Sequence, residues 1–103
     1  MVSLKARAEM LGRTEAELRS EMAASLGRIS RTLSNLIADL HQIQNESRHL
    51  SESEQSAKLD HYRLVRSRAK LYFWYLTVQR EAIGIRNHES LFELYPIPGS
   101  DLG

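Results

Sequence analysis

The sequence predicts an all-α fold: an antiparallel hairpin of two long helices with short N- and C-terminal helices, dimerising into a four-helix bundle. Three observations carry that expectation. The only prolines, Pro96 and Pro98, lie in the last eight residues, so no ring clash breaks a helix before them. Met22, Leu26, Ile29, Leu33, Leu36, Leu40 and Ile43 alternate spacings of four and three, the period of a long amphipathic helix. The run Leu71-Tyr72-Phe73-Trp74-Tyr75-Leu76-Thr77-Val78 is apolar or aromatic at every position but one. On a helix such a run points all round the axis, and one partner helix cannot cover it.

The elements follow in order. Residues 3 to 11 form a short first helix that ends at Gly12, and Thr14-Glu15-Ala16-Glu17 has the spacing of a capping box that opens a helix over 14 to 47. Beside the aliphatic stripe of that helix runs a second of small residues: Ala16, Ser20, Ala23, Gly27, Ser30, Ser34 and Ala38. Small residues at helical spacing admit bulky neighbours, and Gly27, which costs about 1 kcal/mol against Ala in mid-helix, points to a packing reason. Ser51-Glu52-Ser53-Glu54 supplies another capping box, opening a helix over 52 to 83 that Gly84 closes as a left-handed cap.

That helix carries Leu64, Leu71, Tyr75, Val78 and Ala82 on one line and Tyr62, Val65, Ala69, Leu76 and Ile83 on a second. Arg63, Arg66, Lys70, Thr77 and Glu81 form its wet face. Asn87 caps a short helix over 88 to 95, which Pro96 stops, and a proline-containing tail occupies 96 to 103. With the hairpin turn near residue 51, Tyr75 faces Gly27 and Tyr72 faces Ser30, large against small. The apolar tail residues are expected to fold back over the bundle end. The expected core and dimer set is Leu26, Gly27, Ile29, Leu33, Leu36, Leu40, Leu64, Leu71, Tyr72, Tyr75, Leu76 and Val78. The two long helices then have more apolar face than they can bury in each other, and a second copy is the simplest cover.

Length and composition place all 103 residues in a single helical domain with a net charge of +1. The absence of cysteine removes disulfides, thiol catalysis and cysteine-ligated metals, and favours the cytoplasm as compartment. No apolar stretch reaches the roughly 20 residues of a membrane span, and the first residues lack the apolar core of a secretion signal. The near-neutral charge argues against bulk nucleic-acid binding.

Candidate sites are few. His61, Arg68, Tyr72 and Gln79 form a polar line between the apolar ones, and the hairpin brings His41 level with His61. A metal or ligand there competes with a role in fixing register, and four-helix metal sites draw on Glu-x-x-His pairs that this chain lacks. Arg63, Arg66 and Lys70 make a basic strip beside Trp74, open to phosphate or nucleic acid but more simply a solvated face. The segment from Gln79 to Leu91 loosely has the shape of a helix-turn-helix, though its second helix is short and poor in basic residues. The acidic residues Glu46, Glu52, Glu54 and Asp60 gather at the turn, where helix ends favour charge. No catalytic constellation and no cofactor motif is present, so no enzyme is expected.

Leu26-Gly27-Arg28, Val78-Gln79-Arg80-Glu81, Gly84-Ile85-Arg86 and Tyr95-Pro96-Ile97-Pro98, with Trp74, together resemble a family of small helical bacterial proteins of unknown function. The resemblance implies a bacterial origin and a helical fold, and transfers no activity. It draws attention to Arg28, Gln79, Arg80, Glu81 and Arg86, with Arg80 and Glu81 tying the helix end to the returning tail. The expected function is that of a non-enzymatic interaction protein, a homodimer that docks a protein partner through Phe73, Trp74, Arg80, Arg86 and Tyr95. The alternative is a small nucleic-acid-binding regulator.

Overall fold

Local signals set the helix ends. In the computed structural model, which describes residues 3–102, the chain forms α1 (Leu4–Met10), α2 (Glu15–Ser47), α3 (Glu52–Ala82) and α4 (Glu89–Leu94). Ser3, Thr14 and Ser51 each accept a backbone N–H three residues on, at 3.1, 3.1 and 3.4 Å, which satisfies donors that the first helical turn leaves free. Gly12 and Gly84 end α1 and α3 with φ of 67° and 91°, where a side chain is strained. In both, the amide after the glycine reaches back to a carbonyl in the last turn, Arg13 to Ala8 at 2.8 Å and Ile85 to Arg80 at 2.9 Å. At α4 the cap differs from expectation: His88 holds the N-cap position, and Asn87 Oδ1 accepts the Glu89 N–H at 3.0 Å from outside it.

α2 and α3, of 33 and 31 residues, pack against each other as an antiparallel hairpin. The turn is closed by Gln55 Nε2 donating to the Ser47 carbonyl at 2.8 Å, followed by Lys58 with Glu46 at 3.2 Å and Gln44 with the Tyr62 hydroxyl at 3.2 Å. Hydrogen bonds from Gln42 and Lys58, and the Lys58 charge, hold the Glu46 carboxyl below its usual range. The core combines Leu33, Leu36, Ile37, Leu40 and Ile43 of α2 with Tyr62, Val65, Ala69 and Leu76 of α3 and Leu91 of α4. Leu26, Ile29 and Tyr72 are half-buried at its edge. α1 folds onto the start of α2 through Ala8 and Leu18, and Arg13 pairs with Glu21.

The C-terminal segment folds back onto the hairpin, Leu91 into its core and Tyr95 and Ile97 against it, but by a longer course than the sequence predicts. Instead of closing the bundle end, residues 95–102 run back along the hairpin toward its turn. Arg66 Nε donates to the Pro98 carbonyl at 2.8 Å, the Tyr62 hydroxyl donates to the Gly99 carbonyl at 2.7 Å, and Leu102 lies beside Gln55 and Leu59. The Gly84 reversal aims the chain back along α3, and Pro96 and Pro98 hold it extended. Eight residues at about 3 Å each then cover roughly half of a long helix.

This segment also corrects the partner of the small stripe. Ser34 and Ala38 share a shallow cleft with Leu94 and Tyr95, and Gly27 and Ser30 share another with Leu91, Leu94 and Tyr95. The bulky side chains beside the stripe therefore come from the C-terminus as well as from Leu76. Tyr75 does not seat on Gly27, because the Arg31 guanidinium at 3.3 Å is the one group near the place a Cβ would take. The overall shape is a rod of 59 × 24 × 17 Å.

Candidate functional site

The hairpin has two sides, and the chain covers one of them. At about 100° per residue, the α3 positions that meet the tail, Tyr62 and Arg66, lie to one side of the core line. Leu64, Leu71, Tyr75, Val78 and Ala82 lie to the other side, where no other element of this chain packs, and all five are exposed. Leu64 is 62 % exposed, Leu71 45 % and Trp74, at the outer margin, 59 %. Tyr75 is wedged between aromatic neighbours, with ring centroids 5.4 Å from Tyr72 and 5.7 Å from Trp74. Typical side-chain areas make this apolar line on the order of 500 Å².

On the covered side, Arg66, Lys70 and Phe73 of α3 form one wall of an open cleft of about 460 Å³. Phe92 of α4 and Tyr95, Pro96 and Ile97 of the returning segment form the other. Phe73 and Phe92 meet across its end with centroids 5.2 Å apart.

The residues singled out in the sequence distribute unevenly between these two places. Trp74 stands on the uncovered side, while Phe73 and Tyr95 are half-buried against the core. Arg80 is turned inward, its Nη2 donating to the Asn87 carbonyl at 3.0 Å and its Nε to His88 Nδ1 at 3.4 Å. Glu81 meets His88 Nε2 at 3.2 Å, so Arg80 and Glu81 together hold the chain reversal that launches α4. Arg86 is exposed.

The basic strip does not survive as a free surface. Arg63 and Lys70 are exposed, but Arg66 between them is half-buried and bound to the tail. Thr77 also leaves the wet face, its hydroxyl donating to the Phe73 carbonyl at 3.0 Å. The polar line is not a buried network either: His61 and Arg68 are exposed, as is His41, which borders the cleft beside Tyr95. No group of three or more His, Asp or Glu among the described residues has the geometry to hold a metal ion. No helix among them is long and apolar enough to cross a membrane.

The buried polar centre is elsewhere, at Tyr62. Its ring is fully buried, its hydroxyl donates to Gly99 and accepts from Gln44, and no buried side-chain polar atom among the described residues lacks a partner. Burial holds its pKa above the ordinary value of 10.0; Arg66 and the Gln44 hydrogen bond pull it down, and Asp101 pushes it up. The sequence contained the signal, since a tyrosine on a core line needs a partner for its hydroxyl.

The fold and its surfaces define a class: a helical hairpin strapped on one side by its own C-terminus and bare on the other. No protein-family model matches the chain, and no curated protein or solved structure matches it at a significant level.

Proposed function

We propose that this chain is a non-enzymatic helical interaction protein that acts as a homodimer, with the bare side of α3 as the face that pairs. The observation that carries the proposal is the exposed line of Leu64, Leu71, Tyr75 and Val78, with Trp74 at its rim. Its spacings of seven, four and three are those of a helix–helix seam that Arg68 interrupts. Exposing this line to water costs about 25 cal/mol for each Å², on the order of 10 kcal/mol per protomer, and burying it against a copy recovers part of that free energy after the costs of association.

A second copy fits better than an unrelated helix because the line is self-complementary. A two-fold axis at Leu71 sets antiparallel copies of α3 so that Leu64 of each meets Val78 of the other. The same operation keeps Trp74 on the flank of the seam that carries Arg63 and Glu81. It also brings Arg63 within a helical turn of Glu81. A standard interface buries about 800 Å² per partner, and the polar side chains flanking the seam supply what the apolar line lacks.

The structure supports the nucleic-acid reading less, because Arg66 and Arg80 serve the fold itself. The aromatic margin for a further protein partner narrows to Trp74 and its surroundings, since Phe73 and Tyr95 are packed inward. Light scattering with the wild-type chain and Leu71→Glu tests the pairing. The proposal expects a dimer for the first and a helical monomer for the second, and equal masses would refute it.

A further inference from the structure

The cleft between α3 and the returning C-terminal segment lies on the side of the hairpin away from the proposed pairing face and does not depend on it. Its volume of about 460 Å³ is within the range of small-molecule sites, roughly 300 to 1,000 Å³. Its lining is chemically one-sided. Phe73, Phe92 and Ile97 make it apolar, Arg66 and Lys70 stand together on one rim four residues apart, and no acidic side chain lines it. Elsewhere three cations pair with carboxylates, Lys58 with Glu46, Arg19 with Glu15 and Arg13 with Glu21. Lys70 sits beside an apolar hollow with no acidic neighbour in its lining. Phe92 remains 69 % exposed at the hollow's edge, although an apolar wall faces it.

From this arrangement we infer that the cleft binds a small amphipathic carboxylate, a molecule with an aliphatic or aromatic body and one anionic end. The body lies against Phe73, Phe92 and Ile97, where its burial supplies most of the affinity. The carboxylate lies at the rim between the Lys70 ammonium and the Arg66 guanidinium. Arg66 spends its Nε–H on the Pro98 carbonyl, which holds the guanidinium at the rim. A single carboxylate matches two cations in a partly solvated rim. A polyphosphate would leave the aromatic walls uncovered.

Titration calorimetry of the full chain with octanoate and with 1-octanol, which share one apolar body, separates the two halves of the inference. Octanoate should bind saturably at one per chain and about tenfold or more tighter than 1-octanol. Lys70→Gln should weaken octanoate severalfold and leave 1-octanol unchanged, and Phe92→Ala should weaken both. Both positions are exposed, so neither variant threatens the fold. The inference is overturned if octanoate gives no saturable heat, if the two probes bind alike, or if neither substitution moves octanoate affinity. The mass by light scattering, read on the same samples, reports the pairing of α3 separately.

Discussion

Replacing Tyr62 by Phe removes one oxygen atom and tests the course of the C-terminal segment. The ring is fully buried and Phe preserves its packing, so the effect isolates the hydroxyl. That hydroxyl donates to the Gly99 carbonyl at 2.7 Å and accepts from Gln44 Nε2 at 3.2 Å. A typical hydrogen bond contributes a net 0.5 to 1.5 kcal/mol, roughly. The Gly99 carbonyl lies in an exposed residue and can turn to water, whereas the half-buried Gln44 amide cannot do so fully. The expected loss is about 1 to 2 kcal/mol, or some 5 to 10 °C in Tm for a domain of this size. Urea unfolding followed by helical circular dichroism at one fixed protein concentration measures it, because association would otherwise shift the midpoint. Limited proteolysis with a nonspecific protease adds the specific readout: residues 95–102 should be cleaved faster in the variant than in the wild type. A change below about 0.3 kcal/mol, with tail cleavage unaltered, would show that the Tyr62 hydroxyl does not hold the tail.

Other expectations are as direct. Gly27→Ala should stabilise by up to about 1 kcal/mol, because the one close neighbour of the new Cβ is the movable end of Arg31, whereas Gly84→Ala should destabilise by about 1 kcal/mol or more, since φ there is 91°. Chemical denaturation of the pair gives both signs, and a destabilised Gly27 variant would restore the close-packing role that the sequence suggests. Leu33→Ala and Leu40→Ala empty fully buried positions and should each cost about 2 to 5 kcal/mol by the same measurement. Because burial raises the Tyr62 pKa, the folded chain keeps that proton at a pH where the unfolded chain has lost it. Its stabilisation is complete below about pH 10 and declines as pH rises through the folded value. The alkaline slope of stability should therefore be shallower in Tyr62→Phe.

Which parts of this fold could be read from the sequence follows from the range of the interactions involved. Thr14 and Ser51 open helices, and Gly12 and Gly84 close them, through hydrogen bonds that span three to five residues, so a short window of sequence contains the whole cause. The aliphatic stripe of α2 declared its buried face because period alone encodes it. The partner of the small stripe could not be found that way. Tyr95 and Leu94 reach Ser34 and Ala38 only after the chain has passed the hairpin, reversed at Gly84 and turned again, and the nearer aromatics Tyr72 and Tyr75 offered the same chemistry. For a similar reason, the sequence presents Arg66 as one of three cations on a wet face. Nothing within a helical turn of it signals the Pro98 carbonyl, 32 residues away. The site inherits these limits: Trp74 could be picked from its position in the wheel, while the cleft required the tail's path.

Whether α3 pairs with a second copy is settled by the mass of the chain in solution. Light scattering at micromolar concentration should give twice the 11.8 kDa of one chain for the wild type. Leu71→Glu, which places two carboxylates on the proposed axis, should give a helical chain of single mass. A wild-type chain that is folded, stable and of single mass at that concentration would rule out the pairing of α3.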